Sequence, residues 1–325
     1  MKAFTLARYG GPEVLELSDV PDPKAGPGEV LVRIEATTIN DWDWGYMRGL
    51  PWIYRLMTGL TRPSQPILGT ELAGVVEAVG EGATRFAVGD AVYGDVSEAG
   101  FGGFAELAAV KEEALRRVPA GLSMNEAVAI PHAAGLAAQG LKMAGLKAGE
   151  RLLVNGAGGG VGAFAVQLAR RLGVASVTGV DAAEKRPTMK QLGYDEALDY
   201  REVDFVAAGQ WDVVLDAKTT RWPWRHLEAL GAGGRYVTVG GYLPQLLAHL
   251  LWGMPARWVT GKRLQILPLK PNMGLEMVEK LAAGGRLDVP IDGPFPWEEL
   301  PAAMARFGAA KHVGKVVIEV GEVDG

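Results

Sequence analysis

Residues 156–162 read Gly156, Ala157, Gly158, Gly159, Gly160, Val161 and Gly162, a run almost without side chains. The apolar residues Leu152, Leu153 and Val154 precede it. Behind it, Val161, Phe164, Ala165, Leu168 and Leu172 recur at spacings of three and four, which puts them on one helical face. The pattern is a strand, a tight turn and a helix N-terminus. Such a turn aims unpaired backbone N–H groups and the positive end of a helix dipole at one spot. Glycines let a diphosphate approach that backbone closely. The dinucleotide fingerprint G-x-G-x-x-G is met as Ala157-x-Gly159-x-x-Gly162, with alanine in the first place. A second candidate strand, 176–180, ends in Asp181, about 20 residues on, where a dinucleotide site needs a carboxylate for the ribose.

The elements that position this turn follow from patterning. Candidate strands at 152–155, 176–180, 196–198, 212–215 and 235–239 alternate with helical stretches, the signature of a parallel sheet covered on both faces. A run at 264–267 reads as a further, edge strand, and the alanine-rich 125–144 reads as a helix ahead of the sheet. The first ~120 residues instead show short alternating strands, such as 29–36, 72–79 and 90–93, between glycine turns, which predicts a compact barrel-like unit. A helix at 275–283 and a strand at 314–320 resemble this first texture. The expected organisation is therefore α/β with domains at 1–123 and 124–267, and with 268–325 completing the first.

Composition narrows the function. The 325 residues suffice for about two domains, and 48% hydrophobic with 22% charged residues is ordinary for a globular protein. A net charge of −5 and the lack of a basic run argue against nucleic acid as a partner. No cysteine is present, which removes disulfides, thiol chemistry and cysteine-ligated metals, and fits a cytoplasmic location. Residues 1–11 lack the apolar core of a signal peptide, and no apolar run reaches the ~18 residues of a membrane span.

The ordered motifs resemble the medium-chain dehydrogenase/reductases, and among them the zinc-independent quinone oxidoreductase (zeta-crystallin-like) group. They include 10–15 (GGPEVL), 28–32 (GEVLV), 68–76 (LGTELAGVV), 88–94 (VGDAVYG), 212–216 (DVVLD), 234–240 (GRYVTVG) and 314–318 (GKVVI). The resemblance implies a GroES-like β-barrel catalytic domain and a Rossmann doubly wound domain, with the active site in the cleft between them. Zinc-dependent members carry a cysteine near the position of Asn40 and Gly-His-Glu where this chain has Gly69-Thr70-Glu71. With no cysteine and four histidines, His132, His226, His249 and His312, no metal site is expected.

By the same resemblance Asn40, Asp43 and Tyr46 lie where hydrogen bonds hold and polarise the acceptor beside the nicotinamide. Asn40 and Asp43 read equally well as residues that brace a loop. Where relatives carry Leu-Thr-Ala, this chain has Gly135-Leu136-Ala137; His132 stands just upstream as a substitute for the missing hydroxyl, or as a structural histidine. Val239, Gly240 and Gly241 fall in the cofactor-binding set. Two signals compete over the cofactor, NAD(P)H. Asp181 favours NADH, while Lys185 and Tyr200 match positions that contact the 2′-phosphate of NADPH, with Arg186 adding charge nearby.

The apolar stretches 50–57 and 243–258 each read, taken alone, as buried helix, or else as a substrate mouth or dimer surface. Together they favour a small lipophilic quinone or carbonyl substrate. The expected activity is zinc-independent, NAD(P)H-dependent reduction of quinones or α,β-unsaturated carbonyls. The alternatives are a zinc-free alcohol dehydrogenase, or a dinucleotide-binding sensor or structural protein without efficient catalysis. Association as a homodimer through 264–267 is expected, because an exposed apolar edge needs covering.

Overall fold

The computed structural model describes residues 1–321, apart from the side chain of Met57. Residues 322–325 of the expected C-terminal segment lie outside the described residues. The chain divides into two compact units. The first takes Met1–His132, Ala282–Gly285 and the chain from Ile291; the second takes Ala133–Leu281 and Arg286–Pro290. The expected boundaries at 123 and 267 thus move to 132 and 290. Most of the helix Glu276–Ala283 falls in the second unit instead of the first.

The first unit opens with β1 (Lys2–Leu6), β2 (Leu15–Asp19), β3 (Glu29–Thr38), β4 (Glu71–Val79), β5 (Ala91–Asp95), β6 (Leu107–Lys111) and β7 (Arg116–Arg117). Alternation in β3 buries Val30, Val32, Ile34 and Ala36, while Arg33 faces solvent. β4 runs antiparallel to it, with Gly74 opposite Ile34. There the chains approach so closely that a Cβ on Gly74 would overlap the Arg33 carbonyl.

The second unit carries β8 (Arg151–Asn155), β9 (Ser176–Asp181), β10 (Glu196–Asp199), β11 (Trp211–Asp216), β12 (Leu230–Thr238) and β13 (Arg263–Ile266). All pair in parallel in the order β10-β9-β8-β11-β12-β13. The order reverses between β8 and β11, so the crevice at their carboxyl ends is the place for a ligand. Strands buried on both faces read as unbroken apolar runs, as in Val213, Val214 and Leu215. The helix Gly160–Arg171 buries Phe164, Ala165 and Leu168 as its spacing predicts, while Leu172 caps its end at the surface. The stretch expected as one helix, 125–144, is two: Met124–Val128, opened by a Ser123–Glu126 capping box, and Pro131–Ala144. Pro131 cannot donate to the preceding turn, so the first helix ends before it.

The chain then returns to the first unit with β14 (Ile291–Pro296) and β15 (Lys315–Glu319). β15 pairs with β14 in parallel and with β3 in antiparallel fashion. The completed sheet runs β14-β15-β3-β4-β5-β7, with β6 on β3, and β1 with β2 forms a separate ribbon. One apolar core holds it, built from Phe4, Ile34, Leu72, Phe104, Trp297 and Met304 among others.

The two apolar stretches do not pack inward as a buried helix does. Trp52, Ile53 and Leu56 are exposed in short helical turns at 52–58. The stretch from 243 forms the helix Leu243–Thr260, whose Leu247, Leu250, Leu251, Met254 and Trp258 face solvent.

Candidate functional site

In the second unit the glycine turn hangs from β9. The amides of Gly156 and Ala157 both donate to the Val180 carbonyl, and Gly156 takes φ +89°, which a side chain would strain. Gly159 is the extended N-cap of the helix that starts at Gly160, and it has no side chain to cap it. The amides of Gly160, Val161 and Gly162 therefore have no acceptor within the helix and lie at its positive end. A Cβ on Gly162 would overlap the backbone of Ala157, so this glycine sets the helix-to-strand distance. These residues fit a dinucleotide diphosphate.

Asp181 ends β9 and is buried. Its carboxylate accepts from the amides of Gly158 (2.9 Å) and Ala182 (2.8 Å) and pairs with Lys185 Nζ at 3.3 Å. Lys185 is itself buried, and its stem lies where a Cβ of Gly158 would project. Asp181 and Lys185, which pull toward different cofactors in the sequence, are thus one ion pair over the turn. Arg186 is directed elsewhere, to the Ala197 carbonyl and Glu202. Tyr200 is exposed beside Arg201, its amide 3.3 Å from the Asp181 carbonyl. The Val239 amide donates to the Asp216 carbonyl, and the Gly240 carbonyl accepts from Thr219 and Thr238. Gly241 takes φ +144°.

Asp216, the last residue of the 212–216 motif and not among the expected site residues, anchors the crevice end of β11. It is buried and accepts from Asn155 Nδ2, the Lys218 and Thr219 amides and Tyr236 Oη. His226 stacks on Tyr236 at 4.3 Å, and its Nδ1 lies 2.8 Å from His249 Nε2. Burial, then the neighbouring His249, pushes the pKa of His226 down to about 3. Burial also lowers that of His249.

In the first unit Asn40 and Asp43 meet in a second, wholly buried network. Asn40 precedes the helix Asp41–Arg48, and its amide donates to Asp43 Oδ2 at 2.9 Å. Asp43 accepts further from the Gly69 amide and Thr70 Oγ1. Burial outweighs these bonds and the charge of Lys315, and lifts its pKa to about 6. The Asn40 side-chain amide donates to Thr70 Oγ1 (2.7 Å) and Glu71 Oε2 (2.8 Å). Lys315 Nζ, from β15, donates to Asn40 Oδ1 and Glu71 Oε2, each at 2.5 Å, and Thr38 donates to the same carboxylate oxygen.

Glu71 Oε1 takes the amide of His132 at 2.7 Å, and His132 Nδ1 lies 2.8 Å from Asp95 Oδ2. For His132, burial works downward, but the bond and charge of Asp95 and the charge of Glu71 outweigh it and raise the pKa. For Asp95, burial works upward, but His132 and Ser97 hold the carboxyl below its ordinary value. Tyr46 stands outside this network. Its hydroxyl lies 3.1 Å from Ser64 Oγ and accepts from the Gln65 amide, and its ring meets Phe101 edge-on. The readable signal for Glu71 and Lys315 was a charge at the head of an apolar strand, which burial allows only with a partner.

With this geometry in place, comparison with known proteins is informative. Residues 26–120 match the family described as alcohol dehydrogenase GroES-like domain, and residues 192–318 match zinc-binding dehydrogenase. A quinone-oxidoreductase homolog, chloroplastic, from Spinacia oleracea is 33% identical over 98% of both chains. A 2-methylene-furan-3-one reductase from Solanum lycopersicum is 30% identical over 98% of this chain and 79% of its own. The chain belongs to the medium-chain dehydrogenase/reductase superfamily. Within that superfamily it falls in the quinone oxidoreductase-like group and is an NAD(P)-dependent oxidoreductase. The quinone oxidoreductase of Coxiella burnetii superposes with a TM-score of 0.85 at 25% identity over 99% of both chains.

Zinc, which one matching family carries in its name, does not fit the residues present. The sequence supplies no thiolate. Among the described residues, no three His, Asp or Glu side chains are grouped to hold a metal ion. Around Glu71 the donors are an amide, hydroxyls and a carboxylate already bonded to an ammonium. A divalent ion there would face the fixed positive charge of Lys315.

Proposed function

We propose that the protein reduces lipophilic quinones or α,β-unsaturated carbonyls with NAD(P)H and without zinc. The observation that carries this reading is the buried Lys315–Glu71–Asn40 network, a fixed cation where a metal-dependent enzyme needs soft or imidazole donors. Two of the similar proteins are named as reductases or oxidoreductases of such acceptors, which supports the substrate class.

When bound, the reduced nicotinamide supplies the hydride. The amides of Gly160, Val161 and Gly162 hold the diphosphate, and Asp181 accepts from the adenosine ribose hydroxyls, which favours NADH. Hydride addition to a quinone or enone leaves an anionic oxygen or carbon that must take one proton. His132 is the group we assign to hold that proton. Asp95 fixes its Nδ1 and raises its pKa, which keeps the ring protonated nearer neutrality. Asn40 and Asp43 position the loop and the network, and Tyr46 braces the 64–65 turn. The protein further associates as a homodimer along the outer edge of β13 and works in the cytoplasm.

The test follows cofactor oxidation by absorbance with a panel of quinones and enones. Turnover that rises with the apolar character of the acceptor is expected. Tight cofactor binding with no turnover on any acceptor would instead favour a dinucleotide sensor.

A further inference from the structure

The helix Leu243–Thr260 inverts the usual pattern of a surface helix. Its inward side holds His249 and Ala256, both buried, with His249 bonded to His226 and to the Gln245 carbonyl. Its outward side carries Leu247, Leu250, Leu251, Met254 and Trp258 at spacings of three and four, one continuous stripe. Leu250 is 70%, Met254 75% and Trp258 87% exposed. A stripe of this size on a soluble surface marks a place where something docks.

Charge and aromatic placement identify the occupant. From 229 to 275 the sequence has no Asp or Glu, but it has Arg235, Arg257, Lys262, Arg263 and Lys270. Arg257 and Arg263 are exposed at the end of the helix and just beyond it. Trp222 and Trp224, stacked at 5.6 Å and exposed, adjoin the short helix Pro223–Glu228, which His226 ties to this one. Leucines and methionine along one face, tryptophans beside them and cations at the end are the composition of a helix that lies in the headgroup layer. The helix is not long and apolar enough to cross. A second copy of the chain is a poorer partner for this face, because a two-fold contact sets the face against itself, and the stretch 229–275 offers no acid to neutralise Arg257 and Arg263, Glu228 beside it being held by Arg225.

We propose that the helix Leu243–Thr260 docks the protein on anionic lipid surfaces, its leucine, methionine and tryptophan stripe entering the headgroup boundary and Arg257 and Arg263 meeting lipid phosphates. The face is independent of the hydride chemistry and is tested without it. The full-length protein is floated with phosphatidylcholine vesicles, with and without about one-third phosphatidylglycerol, at low and high salt. Binding is expected on the anionic vesicles, weakening with salt. Leu250→Asp with Met254→Asp should lower partitioning by about a hundredfold or more. Arg257→Glu with Arg263→Glu should lower it by roughly thirtyfold. Sedimentation velocity on the same proteins reads the alternative. Failure to float on either vesicle overturns the proposal, as does flotation that the variants leave unchanged. A wild-type dimer that Leu250→Asp with Met254→Asp dissociates, without flotation, assigns the face to a second copy and overturns it equally.

Discussion

Replacing Asp181 by serine should move the enzyme from NADH toward NADPH. The Asp181 carboxylate is buried, takes two backbone amides and sits 3.3 Å from Lys185 Nζ. In the dinucleotide fold this position accepts the ribose hydroxyls, so a 2′-phosphate would arrive within a few ångströms of it. Two like unit charges about 4 Å apart repel by roughly 4 kcal/mol at an effective dielectric constant near 20. Lys185, already on the carboxylate, offsets part of that. A net penalty of about 1.5–3 kcal/mol, or ten- to a hundredfold, is the expected advantage of NADH lost in the serine variant.

Serine also hands Lys185 to the incoming phosphate, so Lys185→Ala in the variant background should cancel the gain with NADPH. Because the change strips a buried ammonium and two amides of their acceptor, stability should fall by about 1–3 kcal/mol, which a melting curve monitors. The decisive quantity is kcat/KM for each cofactor in both proteins. A wild type already tenfold better with NADPH would refute the reasoning, as would a cofactor ratio that moves less than twofold on substitution.

Four other outcomes follow from the same geometry. Gly159→Val should abolish nucleotide binding in a folded protein, because its side chain fills the approach to the unpaired amides; unchanged affinity by calorimetry would remove the diphosphate from this turn. Metal analysis should return far less than one zinc per chain and chelators should leave activity intact, whereas stoichiometric zinc lost together with activity would contradict the donor argument. Lys315→Met should cost about 3–5 kcal/mol in urea unfolding by leaving Glu71 unpaired in the core, and the double variant with Glu71→Gln should recover part of it; an additive double variant would show the pair uncoupled. His226 has its pKa depressed to about 3, below the ordinary 6.5, so the unfolded chain takes up the proton first. Its contribution is complete above pH 6.5 and lost as pH falls toward 3, by up to about 1.4 kcal/mol per unit, and His226→Phe should flatten that slope between pH 7 and 5.

The parallel strands, the glycine turn and the place of Asp181 at the end of a strand were legible because each is a local pattern: an apolar run, a cluster of glycines, and a carboxylate at a fixed distance beyond. Pairings across the fold were not. Lys315 stands 244 positions from Glu71, and only the antiparallel pairing of β15 with β3 puts it in the core. Nothing periodic in the chain marks such a contact; the trace it leaves is a lysine at the head of the apolar run Val316, Val317 and Ile318. Asp181 and Lys185 read as rivals for two cofactors because spacing alone does not show that one helical turn folds them into a single ion pair. The stripe after residue 243 stayed open between core and surface for a related reason. Apolar periodicity says that residues share a face, and leaves open whether that face meets the core or the outside.

The buried network of the first unit has its own electrostatic logic. Three carboxylates, Asp43, Glu71 and Asp95, are buried there with one ammonium, Lys315. Three isolated negative charges in such a site would cost far more than one cation returns. A metal-dependent enzyme meets this need with a divalent ion; here protons meet it. Burial raises Asp43 to about 6, so below that pH it is neutral and needs no partner. His132 and Ser97 hold the Asp95 carboxyl below its ordinary range, and Asp95 and Glu71 raise the His132 pKa. As pH rises through 6, Asp43 ionises and adds a negative charge beside Lys315. A histidine whose pKa is raised toward neutrality by fixed carboxylates is suited to supply a proton after hydride transfer. His132→Asn should therefore remove a limb from the kcat/KM profile on the alkaline side while leaving cofactor affinity intact. An unchanged profile would return His132 to a purely structural part in the network.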